Sequence, residues 1–185
     1  MPSKILVRYG EIALKGKNRS QFEQKLHRNL SGAVKGCSAK VIRMHGRFMV
    51  TGPEENLDTM LEQLSRVFGV VSISSVQETE LDLERIKETA AKIVALLPPT
   101  LNTFKIACRR ANKDFPYPSP EINQLLGAYL LQLKPTLKVK MEQPSFKLSV
   151  EIGFDKAFLY LDQIAGPGGL PVGITGRSLL YFPGV

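Results

Sequence analysis

The sequence is poor in the residues that most often build catalytic and metal centres. It has two cysteines, Cys37 and Cys108, and two histidines, His27 and His45. Neither cysteine has a CxxC partner or a nearby histidine, so we expect no metal site. Neither histidine has a Ser, Cys or Asp at a spacing typical of a triad, so no residue is a catalytic candidate. Two thiols in a chain of 185 residues fit a reducing compartment.

Long apolar runs and nucleotide-binding motifs are missing as well. No run approaches the roughly 20 apolar residues that a membrane helix needs, and the N-terminus leads into a strand-like run instead of a signal sequence. We therefore expect a cytoplasmic protein that makes no membrane contact. Residues 166–176 are rich in glycine but lack the flanking strand, Lys and Ser/Thr that hold a triphosphate. We interpret them as a linker and expect no bound cofactor in this chain.

What the sequence has in excess is positive charge, and that charge is concentrated in two blocks. The formal net charge is +8; residues 1–47 carry 11 Lys/Arg against 2 Asp/Glu, and residues 101–140 carry 7 against 2. Such a balance favours a polyanionic partner or an acidic surface. Composition leaves open whether the two blocks form one surface or two unrelated solvated faces.

The first 77 residues have the pattern of a ferredoxin-like domain. Aliphatic runs predict strands at residues 4–9, 40–43, 47–51 and 70–76, and apolar stripes predict a helix after the first strand and after the third. Ser20 and Glu23 have capping-box spacing, so the first helix should begin at Ser20 and end at Gly36. Pro53 should lie in the first turn of the second helix. The resulting order, β-α-β-β-α-β, predicts an antiparallel sheet with two helices on one face.

Residues 78–165 predict a second, α/β domain, so the fold class is α+β with residues 166–185 as a linker. A helix capped by Asp82 should end before Pro98, and a strand at 103–108 should lead into a loop from Arg109 to Pro118. Ser119 should then cap a helix with Pro120 at its first position. Strands follow at 137–139, 146–152 and 157–161, the last two as a hairpin.

Two groups of residues are candidates for binding an anion. The first precedes the first predicted helix and consists of Lys15, Lys17, Asn18 and Arg19. Free N–H groups and the positive end of the helix dipole favour anions at such a position. The alternative is an ordinary basic surface loop.

The second group lies where the strand at 103–108 leads into the helix at Ser119. Its cations would bind phosphate, its aromatic rings could stack on unpaired bases, and its prolines would order the loop before binding. The members are Arg109, Arg110, Lys113, Phe115, Tyr117 and Ser119. In the alternative interpretation Phe115 and Tyr117 pack into the core. A second alternative concerns the partner, because basic patches of this kind also bind acidic proteins or membranes.

Several motifs resemble one family. Residues 8–19, RYGEIALKGKNR, followed by Phe22, resemble the opening of the tRNA 4-thiouridine synthases of the ThiI type, also called tRNA sulfurtransferases. Residues 104–110, Lys113, residues 115–116 and residues 121–123 resemble that family's THUMP domain, and residues 166–176 resemble the segment before its PP-loop ATPase domain. The resemblance implies a ferredoxin-like domain and a THUMP domain that bind tRNA at the acceptor arm and the CCA end. It also adds Asn123 to the RNA-binding candidates.

The resemblance further implies which functions to weigh. Family members adenylate a uridine with ATP and replace its oxygen with sulfur. Some members also supply sulfur to thiamine biosynthesis, and most members are dimers. A full-length member would continue beyond residue 176 into an SGGxDS nucleotide motif that this sequence lacks. We therefore expect a truncated, inactive, tRNA-binding portion of such an enzyme. The alternatives are half of a split enzyme that needs a separate PP-loop chain, and a remnant that forms a homodimer through residues 179–182 without an RNA role.

Overall fold

The structure is a computed structural model that describes residues 2–10 and 18–173. The chain divides into two compact units, one formed by the residues up to 73 together with those from 164 onward, and one formed by residues 74–163. The predicted boundary placed residues 164 and 165 in the second domain. They belong with the first unit because they form a strand that pairs with residues 72 and 73.

The first unit has the predicted β-α-β-β-α-β order. Its elements are β1 (Ser3–Tyr9), α1 (Asn18–Ala33), β2 (Lys40–Met44), β3 (Arg47–Gly52), α2 (Leu57–Ser65), β4 (Val70–Ser75) and the late strand here called β10 (Ile164–Ala165). The strand order in the sheet is β10-β4-β1-β3-β2, with β3 antiparallel to both β1 and β2 and with β10 antiparallel to β4. The ferredoxin-like prediction is confirmed.

The core of this unit explains why these elements form. Leu26 and Leu30 are one helical turn apart on α1 and are fully buried, so one stripe of the helix covers the sheet. Ile5 and Val7 alternate along β1 toward that stripe, together with Phe48 of β3. Burying a side chain of this size stabilises the fold by about 1.5–3 kcal/mol.

The predicted capping box of α1 is wrong. The helix begins at Asn18, two residues before Ser20, and Glu23 lies in its second turn with its side chain buried. The Glu23 carboxylate accepts hydrogen bonds from Tyr9 and Arg19, so it does not serve as a cap. The predicted end is also displaced: α1 ends at Ala33, and a 3-10 turn over Lys35–Cys37 follows. Pro53 likewise precedes a 3-10 turn, Glu54–Asn56, and α2 begins only at Leu57.

Part of the segment interpreted as a linker is held along β4. The backbone N–H of Gly166 donates to the carbonyl of Val71 at 2.9 Å, and that of Gly168 donates to Val70 at 2.7 Å. A Cβ atom at position 166 would lie 2.4 Å from the Val70 carbonyl oxygen, so only glycine fits there. Residues 174–185, including the strand-like run at 179–182, lie outside the described residues.

The second unit is a five-stranded sheet with two helices. Its elements are β5 (Gln77–Thr79), α3 (Leu83–Ala95), β6 (Thr103–Arg110), α4 (Ser119–Leu133), β7 (Lys138–Val139), β8 (Phe146–Ile152) and β9 (Ala157–Tyr160). The strand order is β5-β9-β8-β6-β7; β6 is parallel to β7 and β8, whereas β9 is antiparallel to β8 and β5. Ile86 of α3 and Ile122 and Leu126 of α4 are fully buried against Phe104 and Leu148. The predicted cap of α3 is confirmed, since Asp82 accepts from the Arg85 N–H at 2.9 Å.

Two local predictions in this unit are wrong. Arg109 and Arg110 belong to β6 and not to a loop, because the pairing with β8 continues as far as Arg110 and Ile152. Ser119 does not cap α4: Pro118 occupies the N-cap position without a side-chain hydrogen bond, and Ser119 is the first helical residue.

Within the described residues, no helix combines the length and the apolar character that crossing a bilayer requires.

Candidate nucleic-acid interface

In the second unit, the end of β6, the loop over residues 111–118 and the start of α4 bring the second predicted group together. The side chain of Arg109 is exposed and makes no hydrogen bond or ion pair with any described residue. Lys113 is exposed at the loop and is equally without an ion pair in the described part of the chain. These two cations are therefore presented to solvent, one at the end of β6 and the other in the loop that leads into α4.

Arg110 has a different role from its neighbour Arg109. Its Nη1 donates to the backbone carbonyl oxygen of Phe115 at 2.9 Å and lies 3.4 Å from that of Lys113. The amide oxygen of Asn112 accepts from the Asp114 N–H at 2.9 Å, which closes a local turn. The guanidinium of Arg110 thus fastens the loop that carries Lys113 to the end of the strand.

The two aromatic rings of the loop are placed unequally. Phe115 is 6% exposed and belongs to the core beside Ile122, so the packing alternative describes it. Tyr117 is half-buried against that core, with its ring centroid 6.0 Å from that of Phe115. Of the two rings, only that of Tyr117 leaves a surface that an unpaired base could contact.

Ser119 and Asn123 connect α4 to β6. The side-chain oxygen of Asn123 accepts from the backbone N–H of Cys108 at 2.9 Å. Burial raises the pKa of the Cys108 thiol, while a hydrogen bond with Ser119 and the charge of Arg110 act in the opposite direction. The raised pKa keeps the thiol protonated at neutral pH. Ser119 and Asn123 therefore set the geometry of the helix start relative to the strand.

The start of α4 can itself attract an anion. Pro118 at the N-cap makes no side-chain hydrogen bond to the first turn, so the backbone N–H groups and the positive end of the helix dipole lack a cap from this residue. Glu121 in that turn carries the opposite charge and offsets part of this effect.

Of the first predicted group, Lys15, Lys17 and the side chain of Asn18 lie outside the described residues. Arg19 is described, and its Nε donates to Oε1 of Glu23 at 2.9 Å. Glu23 also accepts from the hydroxyl of Tyr9 and forms an ion pair with Arg43 of β2. The side chains of Arg19 and Arg43 remain 43% and 53% exposed, so both can still contact a ligand.

The environment of this carboxylate shifts two pKa values. Burial of Glu23 would by itself raise the pKa of its carboxyl, but hydrogen bonds from Tyr9 and Arg19 and the charge of Arg43 hold that pKa below its usual range. Burial and the hydrogen bond to Glu23 raise the pKa of Tyr9 to about 12. Glu23 is therefore ionised and Tyr9 neutral at neutral pH.

A depression opens beside this network. It has a volume of about 260 Å³ and is lined by Glu23, Gln24, His27, Arg28 and Arg43. His27 contacts the carbonyl oxygen of Val41 through Nε2 at 3.2 Å. Sequence reasoning missed Arg43, because its contact with Glu23 joins residues of different elements and leaves no local motif.

Comparison with known proteins agrees with this geometry. Residues 4–74 match the model of the ThiI ferredoxin-like domain, and residues 80–162 match the model of the THUMP domain. The chain therefore carries a ThiI-type ferredoxin-like domain followed by a THUMP domain.

The chain is also similar to curated proteins and to solved structures. The chain is 44% identical over 185 residues to a probable tRNA sulfurtransferase of Moorella thermoacetica. The aligned region covers 100% of this chain and 47% of that protein. The chain spans about half the length of the curated relatives it matches. Among solved structures, PH1313 from Pyrococcus horikoshii has a TM-score of 0.81 at 34% identity, over 95% of this chain and 59% of that one. A 4-thiouridine synthetase–RNA complex with bound ATP has a TM-score of 0.78 at 35% identity, over 95% of this chain and 45% of that one.

Proposed function

We propose that this chain binds tRNA and serves as the tRNA-recognition part of a tRNA 4-thiouridine synthase. The observation that carries the proposal is the similarity of 95% of the chain to a 4-thiouridine synthetase solved with RNA. Both domains of the ThiI type are present in series, and the second presents unpaired cations at the end of β6 and in the loop that leads into α4. The chain would contact the acceptor arm and the CCA end of the tRNA, and it would act in the cytoplasm.

The residues divide into those that contact RNA and those that hold them in place. Arg109 and Lys113 would bind phosphate groups, and Tyr117 would contact a base. Arg110, Ser119 and Asn123 would position this site through the contacts described above. Phe115 would contribute through its packing. On the first unit Lys15, Lys17, Asn18 and Arg19 would form a second contact, to which Arg43 is added here.

The test is a titration of tRNA against the double variant Arg109→Gln/Lys113→Gln. Each lost phosphate contact should lower the slope of log affinity against log salt by roughly 0.7–0.9. The double variant Arg85→Gln/Lys92→Gln removes two exposed cations of α3, and it serves as the charge-matched control. Unchanged tRNA affinity and salt slope in Arg109→Gln/Lys113→Gln would remove Arg109 and Lys113 from the interface.

Sulfur transfer itself would require a PP-loop domain and ATP in addition to the residues described here. That domain would belong to the same chain, or to a separate chain or subunit that docks on this one. Mixing this chain with a PP-loop domain and measuring 4-thiouridine in tRNA tests the split arrangement. Thiolation only in the mixture supports it, and thiolation by the PP-loop domain alone at the same rate contradicts it.

A further inference from the structure

One face of the sheet in the second unit carries four lysines, here called the lysine face: Lys105, Lys138, Lys140 and Lys147. Lys105 of β6 is in register with Lys147 of β8, and Thr103 of β6 is in register with Lys138 of β7. The N–H of Lys140 donates to the Phe104 carbonyl at 2.9 Å, so the chain continues beside β6 after β7 ends. Residues in register share a face, and residues two apart on a strand share it too.

The lysine face is opposite the helices. Phe104 and Leu148, which alternate with Lys105 and Lys147, are buried in the core formed with α3 and α4. Lys138, Lys140 and Lys147 are exposed, and Lys105 is half-buried, with its Nζ 3.4 Å from the carbonyl oxygen of Met141. Arg109 lies on the same face, two pleats further along β6.

The lysine face carries an excess of positive charge among the described residues. None of the four lysines forms an ion pair with a residue in the described ranges. The acidic residue in register with Arg109 is Glu151, which is buried and accepts a hydrogen bond from the hydroxyl of Tyr160 at 2.8 Å. The other acid near the lysines is Glu142, which is exposed and follows β7. Three exposed lysines and the half-buried Lys105 are therefore grouped on β6, β8 and β7 with its continuation, with little acidic compensation among the described residues.

We propose that the lysine face is a second phosphate-binding surface, which takes the ribose-phosphate backbone of the tRNA body. Neighbouring strands are about 4.8 Å apart and residues two apart on a strand about 6.6 Å, so the ammonium groups form rows that can follow successive phosphates. The aromatic rings on this face, those of Phe158 and Tyr160, are buried and cannot stack on bases. Contact at this face is therefore electrostatic and independent of base sequence.

A lipid surface fits this face less well than RNA. Val139, the exposed apolar residue of β7, is in register with Phe104 and so lies on the other face. The uncharged residues that share this face with the lysines on β6 and β8 are Thr103, Ala107 and Ser149, so these two strands carry no large apolar side chain to insert below lipid headgroups. Arg109 links the face to the site proposed above, so one RNA could contact both.

The inference rests on the proposed tRNA binding, and one set of titrations separates the two. The variant is Lys138→Gln/Lys140→Gln, and the matched control is Arg85→Gln/Lys92→Gln, which removes two cations from α3. We expect the lysine-face variant to lower the salt slope by about 1.4–1.8, the value for two phosphate contacts, with similar loss for different tRNA sequences. The control should keep the wild-type slope. All proteins are checked by thermal melting, since exposed Lys→Gln changes should leave the fold intact.

Each other outcome has a defined meaning. If the lysine-face variant keeps the wild-type slope while Arg109→Gln/Lys113→Gln loses affinity, the inference falls and the proposed function stands. If the wild-type chain binds no tRNA, both fall. If vesicles containing an anionic phospholipid bind the wild type but not Lys138→Gln/Lys140→Gln, and tRNA affinity is unchanged, the face is a membrane contact and the inference is overturned.

Discussion

The Nη1 atom of Arg110 lies 2.9 Å from the backbone carbonyl oxygen of Phe115, to which it donates a hydrogen bond. This bond joins the last residue of β6 to the loop that leads into α4. Arg109 precedes Arg110 in the sequence, yet alternation along the strand directs it to the other face. The two adjacent arginines therefore differ in role: Arg109 is exposed to solvent, and Arg110 holds the loop that carries Lys113.

This division predicts different effects of the two substitutions on RNA binding. We expect Arg109→Gln to lower the salt slope of tRNA binding by roughly 0.7–0.9, because a phosphate contact is lost. Arg110→Gln should weaken binding with a smaller change in slope, and should destabilise the protein by about 1 kcal/mol through the lost hydrogen bonds. Salt-dependent titration and urea unfolding measure the two quantities. Equal slopes and equal stabilities for both variants would contradict the division.

The hydrogen bond from Cys108 to Asn123 should contribute measurably to stability. In Asn123→Ala the backbone N–H of Cys108 loses its acceptor in a half-buried position. We expect a loss of about 1–3 kcal/mol in the free energy of unfolding, measured by urea denaturation. Gln124→Ala, one residue along on the exposed side of α4, is the control and should change stability by less than about 0.5 kcal/mol. A loss no larger than that of the control would show that α4 does not depend on this bond.

Glu23 should make the stability of the protein depend on acid pH. The pKa of Glu23 in the folded protein is lower than the value of about 4.3 for an unfolded glutamate. The stability that Glu23 contributes to the folded state is therefore complete above about pH 4.3. The contribution is lost as pH falls through the lowered folded value. We expect Glu23→Gln to reduce stability at neutral pH by about 2 kcal/mol and to flatten the dependence below about pH 4. Thermal melts across pH test this, with the exposed Glu55→Gln as control; parallel curves for Glu23→Gln and wild type would be the contrary result.

Tyr9 should ionise at a higher pH than an ordinary tyrosine. Its pKa of about 12 in the folded protein exceeds the unfolded value near 10. The stability it contributes is therefore complete below about pH 10 and is lost as pH rises toward 12. A spectroscopic titration of tyrosinate absorbance should show a late component that is absent from Tyr9→Phe. The same titration curve for both proteins would mean that Tyr9 is not held by Glu23.

The order of helices and strands was predicted correctly because the spacing of apolar residues that marks each element lies within a few neighbouring residues of the sequence. Leu26 and Leu30 mark a helix, and the alternation of Phe146, Leu148 and Val150 marks a strand, whatever the rest of the chain does. The predicted cap residues failed where a tertiary contact competed: Glu23 is engaged by Tyr9, Arg19 and Arg43, which come from three different elements.

The site was predicted only in part for the same reason. A motif in the sequence indicates which residues are near one another along the chain, so it brought Arg109, Lys113 and Tyr117 into one group. Whether Phe115 is buried depends on the helices beneath it. The lysine face depends on the register of three strands, since Lys105, Lys138 and Lys147 are far apart in sequence and meet only through parallel pairing.

The most direct measurement compares the affinity of this chain for intact tRNA, for the same tRNA without its CCA end, and for a generic RNA duplex at physiological salt. We expect intact tRNA to bind most tightly, loss of the CCA end to weaken binding, and the duplex to bind most weakly. Equal affinity for all three RNAs would contradict tRNA recognition by this chain and leave only non-specific attraction between a basic protein and a polyanion.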